Sequence, residues 1–438
     1  MLSGKTLATI AISTLISFLF SGCEETDPKI TDDPIIQDTI PSSMMQEHIP
    51  WASLADSPWP MYSHDPQGTR RSQYTGPTLG EISWQLWTDG IQKSNGFTSF
   101  GIGSDSTLYF GSSYERPEGS QSWLLYAVSN SGEVEWTFRD PDQSHEEIEV
   151  SPLITNDGTI IFATYYFYHA NIYSLSVDGQ LLWKYEHDLS PFVGDYLNIG
   201  LDGTIYFIDG GGNLIALNDD GTLKWQLLAN QAFKANGQWC TAISPDGNTL
   251  YVSGAYGYDP LYAVSSDGQL QWSMDLPDST ARITGLPLVD NQGNIYLGVN
   301  STLTATESPN SGFYSLNSDG SIRWIYPKVP IYEMYTMDSD GHIYLSTGDE
   351  LFAIAYNGTE LWNRSLSLYS NTPLIIDNSH TIYITGNNLQ AIDGSQGTTL
   401  WTMQIPETVF QCPVIGIDNT LFLGFAGSDS NKYVYAIK

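Results

Sequence analysis

Apolar and polar positions recur in one fixed order along this chain of 438 residues. In "YAVSSDGQLQW" (Tyr262–Trp272), a short apolar run leads into an Asp-Gly turn, and a second run after the turn ends in tryptophan. Asp-Gly and Asn-Gly supply the positive φ angles that a two-residue hairpin connection demands. The pattern therefore predicts two antiparallel strands joined by a tight turn, which we name strands C and D.

The C–D pattern occurs seven times in full. The copies are Tyr126–Trp136, Tyr173–Trp183, Ile215–Trp225, Tyr262–Trp272, Tyr314–Trp324, Phe352–Trp362 and Gln390–Trp401. Each copy follows another short apolar hairpin, such as the one ending in "GTIYFI" (Gly203–Ile208), which supplies strands A and B. Units of four strands that repeat at roughly 40–50 residues are typical of β-propeller blades.

The number of strands predicts how the ring closes. A–B hairpins occur eight times, but the last C strand, in "KYVYAIK" (Lys432–Lys438), has no D strand after it. The missing strand is available upstream in "EISWQLW" (Glu81–Trp87), with Trp84 at the expected position. We therefore predict an all-β fold, an eight-bladed propeller of four-stranded blades in which the N- and C-terminal strands share one blade. Such closure hides the sheet edges that an open array would expose.

One copy carries a family motif. "AIDGSQGTTLW" (Ala391–Trp401) resembles the tryptophan-docking motif A-x-D-x-x-x-G-x-x-x-W of the pyrroloquinoline quinone (PQQ)-like propellers, and it departs at Gln396, where threonine is typical. "WPMYSHDPQGTRRSQYTGP" (Trp59–Pro77) resembles the segment that precedes such propellers. The resemblance implies that one tryptophan per blade docks against the neighbouring blade. These residues are Trp84, Trp136, Trp183, Trp225, Trp272, Trp324, Trp362 and Trp401.

The N-terminus has the pattern of a targeting segment. Lys5 precedes an apolar run (Leu7–Phe20) that is typical of a signal peptide. "SGC" (Ser21–Cys23) resembles the lipobox of bacterial lipoproteins, although Phe20 stands where leucine is usual; a secreted protein without acylation is the alternative. We predict a lipoprotein signal peptide over 1–22, acylation of Cys23, an acidic disordered tether over 23–58 and the propeller over 59–438. The predicted location is the outer membrane of a bacterial envelope, on its periplasmic or its cell-surface face.

The net charge narrows the possible partners. Sixteen Lys and Arg stand against 49 Asp and Glu, a formal net charge of −33. Such a surface repels phosphate backbones, which disfavours nucleic-acid binding. Solubility in an exposed compartment and a cation-binding surface both explain the acidity.

The sequence lacks the residues of a quinoprotein active site. Family members that are dehydrogenases resemble one another in an adjacent Cys-Cys pair, calcium-binding carboxylates and a catalytic Asp, whereas the cysteines here are Cys23, Cys240 and Cys412. Cys240 and Cys412 precede strand A of opposite blades, either as small buried residues or as thiols at the channel mouth. "DSDGH" (Asp338–His342) is interpreted as turn chemistry. No catalytic residue, metal ligand or cofactor is predicted, and PQQ with Ca²⁺ is not expected.

The loops that join B to C and D to the next A are rich in aromatic residues. Exposed aromatic rings suit protein interfaces or sugar stacking. The candidate binding face comprises Trp123, Tyr166, Tyr256, Tyr258 and Tyr332, and packing between blades is the alternative explanation of these rings. We expect a non-catalytic scaffold that binds envelope proteins and contacts the membrane only through its lipid anchor. In size, anchor and blade number the chain resembles the propeller lipoprotein of outer-membrane β-barrel assembly. Alternatives are a surface protein that binds or processes glycans and a periplasmic PQQ-dependent oxidoreductase.

Overall fold

A computed structural model describes residues 44–88, 98–115, 121–140, 147–148, 150–166, 169–187, 196–230, 233, 241–253, 260–277, 280–301, 311–330, 334–366, 372–405, 412–426 and 432–438. Residues from Ile40 to Lys438 belong to one compact unit. The strands form eight separate antiparallel sheets, each a blade of the ring. Among the described residues, no helix is long and apolar enough to cross a membrane. The prediction of an all-β, eight-bladed propeller is confirmed.

The first four blades follow one another along the chain. Blade 1 contains β2 (Gly101–Ile102), β3 (Leu108–Glu115), β4 (Gln121–Val128) and β5 (Val134–Phe138). In blade 2, β6 (Glu147–Ile148) and β7 (Leu153–Ile154) both pair with β8 (Ile160–Tyr166), followed by β9 (His169–Leu175) and β10 (Leu181–His187). Blade 3 contains β11 (Asn198–Ile199), β12 (Ile205–Ile208), β13 (Leu214–Leu217) and β14 (Leu223–Leu227). Blade 4 contains β15 (Thr241–Ile243), β16 (Thr249–Val252), β17 (Leu261–Ser265) and β18 (Leu270–Met274).

The last four blades end with the one that closes the ring. In blade 5, β19 (Ala281–Ile283) and β20 (Leu288–Val289) pair with β21 (Ile295–Ser301), followed by β22 (Gly312–Leu316) and β23 (Ile322–Tyr326). Blade 6 contains β24 (Tyr335–Met337), β25 (Ile343–Ser346), β26 (Glu350–Ile354) and β27 (Glu360–Ser365). Blade 7 contains β28 (Ile375–Ile376), β29 (Thr381–Thr385), β30 (Asn388–Asp393) and β31 (Thr399–Gln404). Blade 8 contains β32 (Val414–Ile415), β33 (Leu421–Ala426), β34 (Lys432–Ile437) and, from the other end of the chain, β1 (Ile82–Thr88).

Blade 8 closes as the strand count predicted. β1 pairs antiparallel with β34, and Trp84 lies opposite Ala436. Glu81 and Lys438 exchange backbone hydrogen bonds, each 2.8 Å long. The two ends of the propeller are therefore joined by an ordinary strand ladder.

First and fourth strands differ in burial because of their place in the ring. The first strands of neighbouring blades contact one another, as β2 and β7, β15 and β20, and β24 and β28 do, so they line the central channel. These strands are buried, whereas a fourth strand such as β14 alternates exposed and half-buried residues at the rim. Since all strands of a blade are antiparallel, the A–B and C–D turns share one end of the ring. We call it the turn end, and the opposite end the loop end.

Each fourth strand also carries the tryptophan that meets the next blade. Its indole lies over a positive-φ glycine in the C–D turn of that blade or, for Trp401, over Gly80 just before β1. A Cβ on any of these glycines would come within 2.5–3.0 Å of the ring. The pairs are Trp84 and Gly132, Trp136 and Gly179, Trp183 and Gly221, Trp225 and Gly268, Trp272 and Gly320, Trp324 and Gly358, Trp362 and Gly397, and Trp401 and Gly80. For seven of them the indole N–H donates to a backbone carbonyl beside that turn at 2.8–3.1 Å. Within its own blade, each tryptophan lies opposite an alanine or serine.

Candidate functional site

A segment before the first blade crosses the turn end of the channel. We call residues 44–80 the strap. Trp51, Leu54, Trp59, Met61 and Arg70 are among its buried residues. The sequence analysis placed residues up to 58 in a disordered tether, but Met44–Pro58 is packed on the propeller. The side chains of Ile49, Trp51 and Leu54 give this stretch apolar surface to bury.

The strap forms hydrogen bonds with blades 1 to 7. The clearest set joins strap carbonyls to the backbone N–H of the last residue of a first strand. These bonds are Ile102 to Trp59 (2.7 Å), Ile154 to Pro60 (2.8 Å), Ile243 to Pro66 (2.8 Å), Val289 to Gln67 (2.9 Å) and Ile376 to Arg70 (3.1 Å). In blade 3, the Trp51 indole donates to the Ile199 carbonyl at 2.9 Å, and in blade 6 the Thr336 hydroxyl donates to the Thr69 carbonyl at 2.8 Å. Without the strap, these buried backbone groups would lose their partners, at about 1–3 kcal/mol each.

Two large side chains of the strap are buried against the first strands of the ring. Trp59 and Arg70 are both fully buried. The Trp59 ring meets the His64 ring edge-on, with centroids 5.1 Å apart. Arg70 donates to the Tyr335 carbonyl at 3.3 Å, and its guanidinium lies 5.6 Å from the centroid of the Tyr335 ring. The turn end of the channel is therefore occupied by the protein itself.

The strap also encloses a cavity of about 390 Å³. Apolar walls from Trp51 and Leu54 alternate with the titratable groups His48, His64 and Asp65. Burial and the charge of His64 lower the pKa of His48. Burial opposes ionisation of Asp65, but hydrogen bonds from His64 and Thr69 outweigh it, so the pKa of this carboxyl lies below its ordinary value. A cavity of this size with mixed walls suits a small polar ligand.

Three A–B turns each contain a buried aspartate that accepts hydrogen bonds from its own turn. Oδ1 of Asp290, Asp338 and Asp377 accepts the backbone N–H groups two and four residues later, at 2.8–2.9 Å. Oδ2 of each accepts the hydroxyl of the tyrosine six residues later, which is Tyr296, Tyr344 or Tyr383. Burial raises the pKa of these tyrosines. The expectation that "DSDGH" is turn chemistry agrees with this role of Asp338.

The predicted binding face is only partly described. Trp123 is 6% exposed and packs with Ile148 and Phe162 in the core, so its ring is not presented to solvent. Tyr166 ends β8, but its side chain lies outside the described residues, as do Tyr256, Tyr258 and Tyr332 entirely. These four positions remain predictions.

Of the three cysteines, only Cys412 lies within the described residues. Cys412 is 2% exposed and lies two residues before β32, where its carbonyl accepts the Ser99 hydroxyl at 3.2 Å. This position matches the interpretation of a small buried residue. Cys240, directly before β15, and Cys23 lie outside the described residues, so their predicted roles stay untested.

The described channel does not fit PQQ. The cysteines, at positions 23, 240 and 412, provide no adjacent pair on which a quinone could stack. At the turn end, Trp59 and Arg70 are fully buried, and strap carbonyls already accept hydrogen bonds from the first strands. No reaction step through this cofactor can be derived from these residues.

Comparison with known proteins agrees with this geometry. The model of the family described as outer membrane protein assembly factor BamB matches residues 76–238 and 120–312, which together span more than half of the chain. The chain belongs to this family of PQQ-like propellers. No curated protein sequence matches it.

Solved structures similar to this BamB-family chain include non-catalytic and catalytic propellers. BamB from Moraxella catarrhalis is 14% identical, with a TM-score of 0.60, over 82% of this chain and 99% of that one. Europium-containing methanol dehydrogenase is 12% identical, with a TM-score of 0.63, over 87% and 98%. Quinohemoprotein alcohol dehydrogenase from Comamonas testosteroni is 11% identical, with a TM-score of 0.61, over 86% and 80%. At these identities the likeness concerns the fold alone.

Proposed function

We propose that this protein is a non-catalytic binding scaffold of the bacterial envelope, anchored through an acylated Cys23. The observation that carries the proposal is the strap, which fills the turn end of the channel with fully buried Trp59 and Arg70. A propeller whose axis is filled by its own chain offers its outer surfaces to partners. Membership of the BamB family supports an envelope protein that binds other proteins.

The loop end is the surface we assign to the partner. Backbone and side-chain groups of the strap are bonded to blades 1 to 7 at the turn end, so a partner there would compete with the protein's own segment. The strap also begins at the turn end, where the Gln46 N–H donates to the Ser339 carbonyl at 2.7 Å.

Site-specific photo-crosslinking in the native host tests the assignment. Leu228, just after β14, is 48% exposed at the loop end, and Leu79, beside the turn-end Gly80, is 68% exposed. A photoreactive phenylalanine at Leu228 should capture one envelope protein, and the same residue at Leu79 should not. Crosslinks from Leu79 alone, or from neither position, would contradict a loop-end scaffold.

Membrane fractionation tests the anchor separately. Cys23→Ser should move the protein from the membrane fraction to the soluble fraction, because two or more acyl chains are needed for stable attachment. Cys412→Ser is the matched control, since that residue is buried in the propeller, and it should stay with the membrane. Retention of the Cys23→Ser variant in the membrane would refute the lipid anchor and leave the scaffold role open.

Titration with PQQ and Ca²⁺ distinguishes the scaffold from an oxidoreductase. The strap and the separated cysteines lead us to expect no saturable change in tryptophan fluorescence. Stoichiometric binding would reverse the conclusion. The burial of Trp123 removes one ring from the face that a glycan-binding function would use.

A further inference from the structure

The turn ends of blades 6 and 7 bring together three potential metal ligands that are distant in the sequence. Asp338 and Asp340 belong to the A–B turn of blade 6, and His380 belongs to the A–B turn of blade 7. The His380 Nδ1 atom lies 3.7 Å from Asp338 Oδ2 and 3.7 Å from Asp340 Oδ2. One ligand atom from each residue lies within 4.8 Å of the other two.

The repeat shows which of these residues the fold itself requires. Asp338 has the same turn-capping bonds as the aspartates of blades 5 and 7. Asp340 stands at a position where the turns of blades 1 to 4 also carry an aspartate, namely Asp105, Asp157, Asp202 and Asp246, whereas His380 stands where five turns carry glycine. The imidazole is therefore the departure from the repeat, and it faces both carboxylates across the blade boundary.

The backbone of His380 strengthens this distinction. Its φ is +62°, in the left-handed region that side chains disfavour. Five of the eight A–B turns place a positive-φ glycine at this position: Gly158, Gly203, Gly247, Gly293 and Gly341. In blade 7 a histidine takes this conformation, and its Nε2 pairs with the Ser339 hydroxyl at 3.0 Å, which orients the ring toward the carboxylates.

We propose that Asp338, Asp340 and His380 bind a divalent transition-metal ion of the zinc class. Such ions accept one imidazole nitrogen and carboxylate oxygens at about 2.0–2.2 Å, with the remaining position taken by water. Ligand atoms 3.7 Å apart need to approach by only a few tenths of an ångström to meet that geometry. Magnesium and calcium prefer all-oxygen ligands, so the imidazole selects against them.

Neighbouring groups orient the ligands and set the local charge. The His342 Nδ1 atom and the Tyr344 hydroxyl lie 3.0 and 2.9 Å from Asp338 Oδ2, as outer partners of a ligating carboxylate do. The Arg71 guanidinium donates to the Asp338 carbonyl at 2.9 Å. Because its positive charge would repel a bound cation, both carboxylates are needed to hold the ion. The His380 and Asp340 side chains are 30% and 27% exposed, which leaves the site open to solvent ions.

An ion at this site would connect blades 6 and 7 at the point where the strap begins. The Ser339 carbonyl between the two aspartates already accepts the Gln46 N–H of the strap. Metal binding would therefore stabilise the blade boundary together with the strap. This inference stands on the cluster alone and does not depend on the scaffold function.

Calorimetric titration of the untagged mature protein with ZnCl₂ tests the site. We expect one ion per chain and a rise in melting temperature that depends on zinc concentration. His380→Gly should weaken zinc binding at least tenfold. Since glycine is the usual residue of this turn, the metal-free variant should melt at the wild-type temperature or above it. Asp340→Asn should weaken binding to a similar extent.

Ser106→Gly is the matched control. Ser106 is the positive-φ residue at the same turn position of blade 1 (φ +71°), so the exchange relieves the same backbone strain without touching the cluster. Its zinc affinity should equal that of the wild type. Unchanged zinc affinity in His380→Gly, or absence of zinc binding by the wild type, would overturn the proposal. Equal competition by MgCl₂ would also overturn it, since it would indicate screening of the acidic surface.

Discussion

Replacing Trp59 with alanine tests whether the strap is part of the propeller core. The Trp59 ring is fully buried in the channel, while its carbonyl accepts the Ile102 N–H and would remain in place. Removing a buried ring of about 150–250 Å² at about 25 cal/mol per Å² gives an upper bound of about 4–6 kcal/mol. Tryptophan-to-alanine changes in cores cost about 3–5 kcal/mol. We therefore expect the free energy of unfolding to fall by about 3–5 kcal/mol.

Urea unfolding followed by circular dichroism measures this loss, and a thermal scan checks it. With an unfolding entropy of about 2.1 cal/mol/K per residue over about 400 residues, the loss corresponds to a fall of about 4–6 °C in melting temperature. Trp87→Ala is the matched control, because Trp87 is 52% exposed on β1 and its change should stay within about 0.5 kcal/mol. A Trp59→Ala variant as stable as the Trp87→Ala variant would refute the description of the strap as core.

Two further predictions concern the blades themselves. Gly268→Ala should destabilise the fold by about 1–3 kcal/mol more than Gly158→Ala, as measured by urea unfolding. Both residues have positive φ, but only at Gly268 would the added Cβ meet the Trp225 ring, at 2.8 Å. Equal losses would show that the indole does not constrain the turn. For the second, the hydrogen bond that His342 donates to Asp338 raises the pKa of His342 above its ordinary value of 6.5, so this bond stabilises the fold fully below that pH and less as the pH rises through the raised pKa. His342→Asn, which copies the residue of blade 5, should keep the hydrogen bond without titrating, so the wild type should lose stability relative to this variant as the pH rises above 6.5 and through the raised pKa of His342. A constant difference between the two proteins would contradict the assignment.

Most of the ring could be predicted from local pattern because blades are local structures. Each C–D hairpin is specified by a few residues, as in Tyr262–Trp272. Its turn and its apolar alternation can be recognised in the sequence without knowledge of any distant contact. The shared eighth blade was also predictable, because the C-terminal strand C lacks a strand D and the N-terminal strand with Trp84 supplies one. Repetition made these signals strong.

The strap could not be predicted in this way because it has no repeating pattern and no strand ladder of its own. Its buried residues, such as Trp51 and Trp59, are separated by turn-forming residues, and their partners lie on several blades. The sequence analysis therefore assigned Met44–Pro58 to the tether. The concentration of tryptophan and other apolar residues in this stretch was the available signal, because a disordered segment rarely carries so much surface to bury.

The sequence by itself determined the fold class, the number of blades and the order of strands, because these depend on period, turn chemistry and one tryptophan per blade. Only the tertiary structure decided what fills the channel and which side chains meet at a blade boundary. The strap is held at the turn end because backbone N–H groups of several first strands donate to its carbonyls, and His380 meets Asp340 because two turns that are far apart in sequence are neighbours in the ring. Contacts between blades follow from closing the ring, and no local window of the sequence contains them.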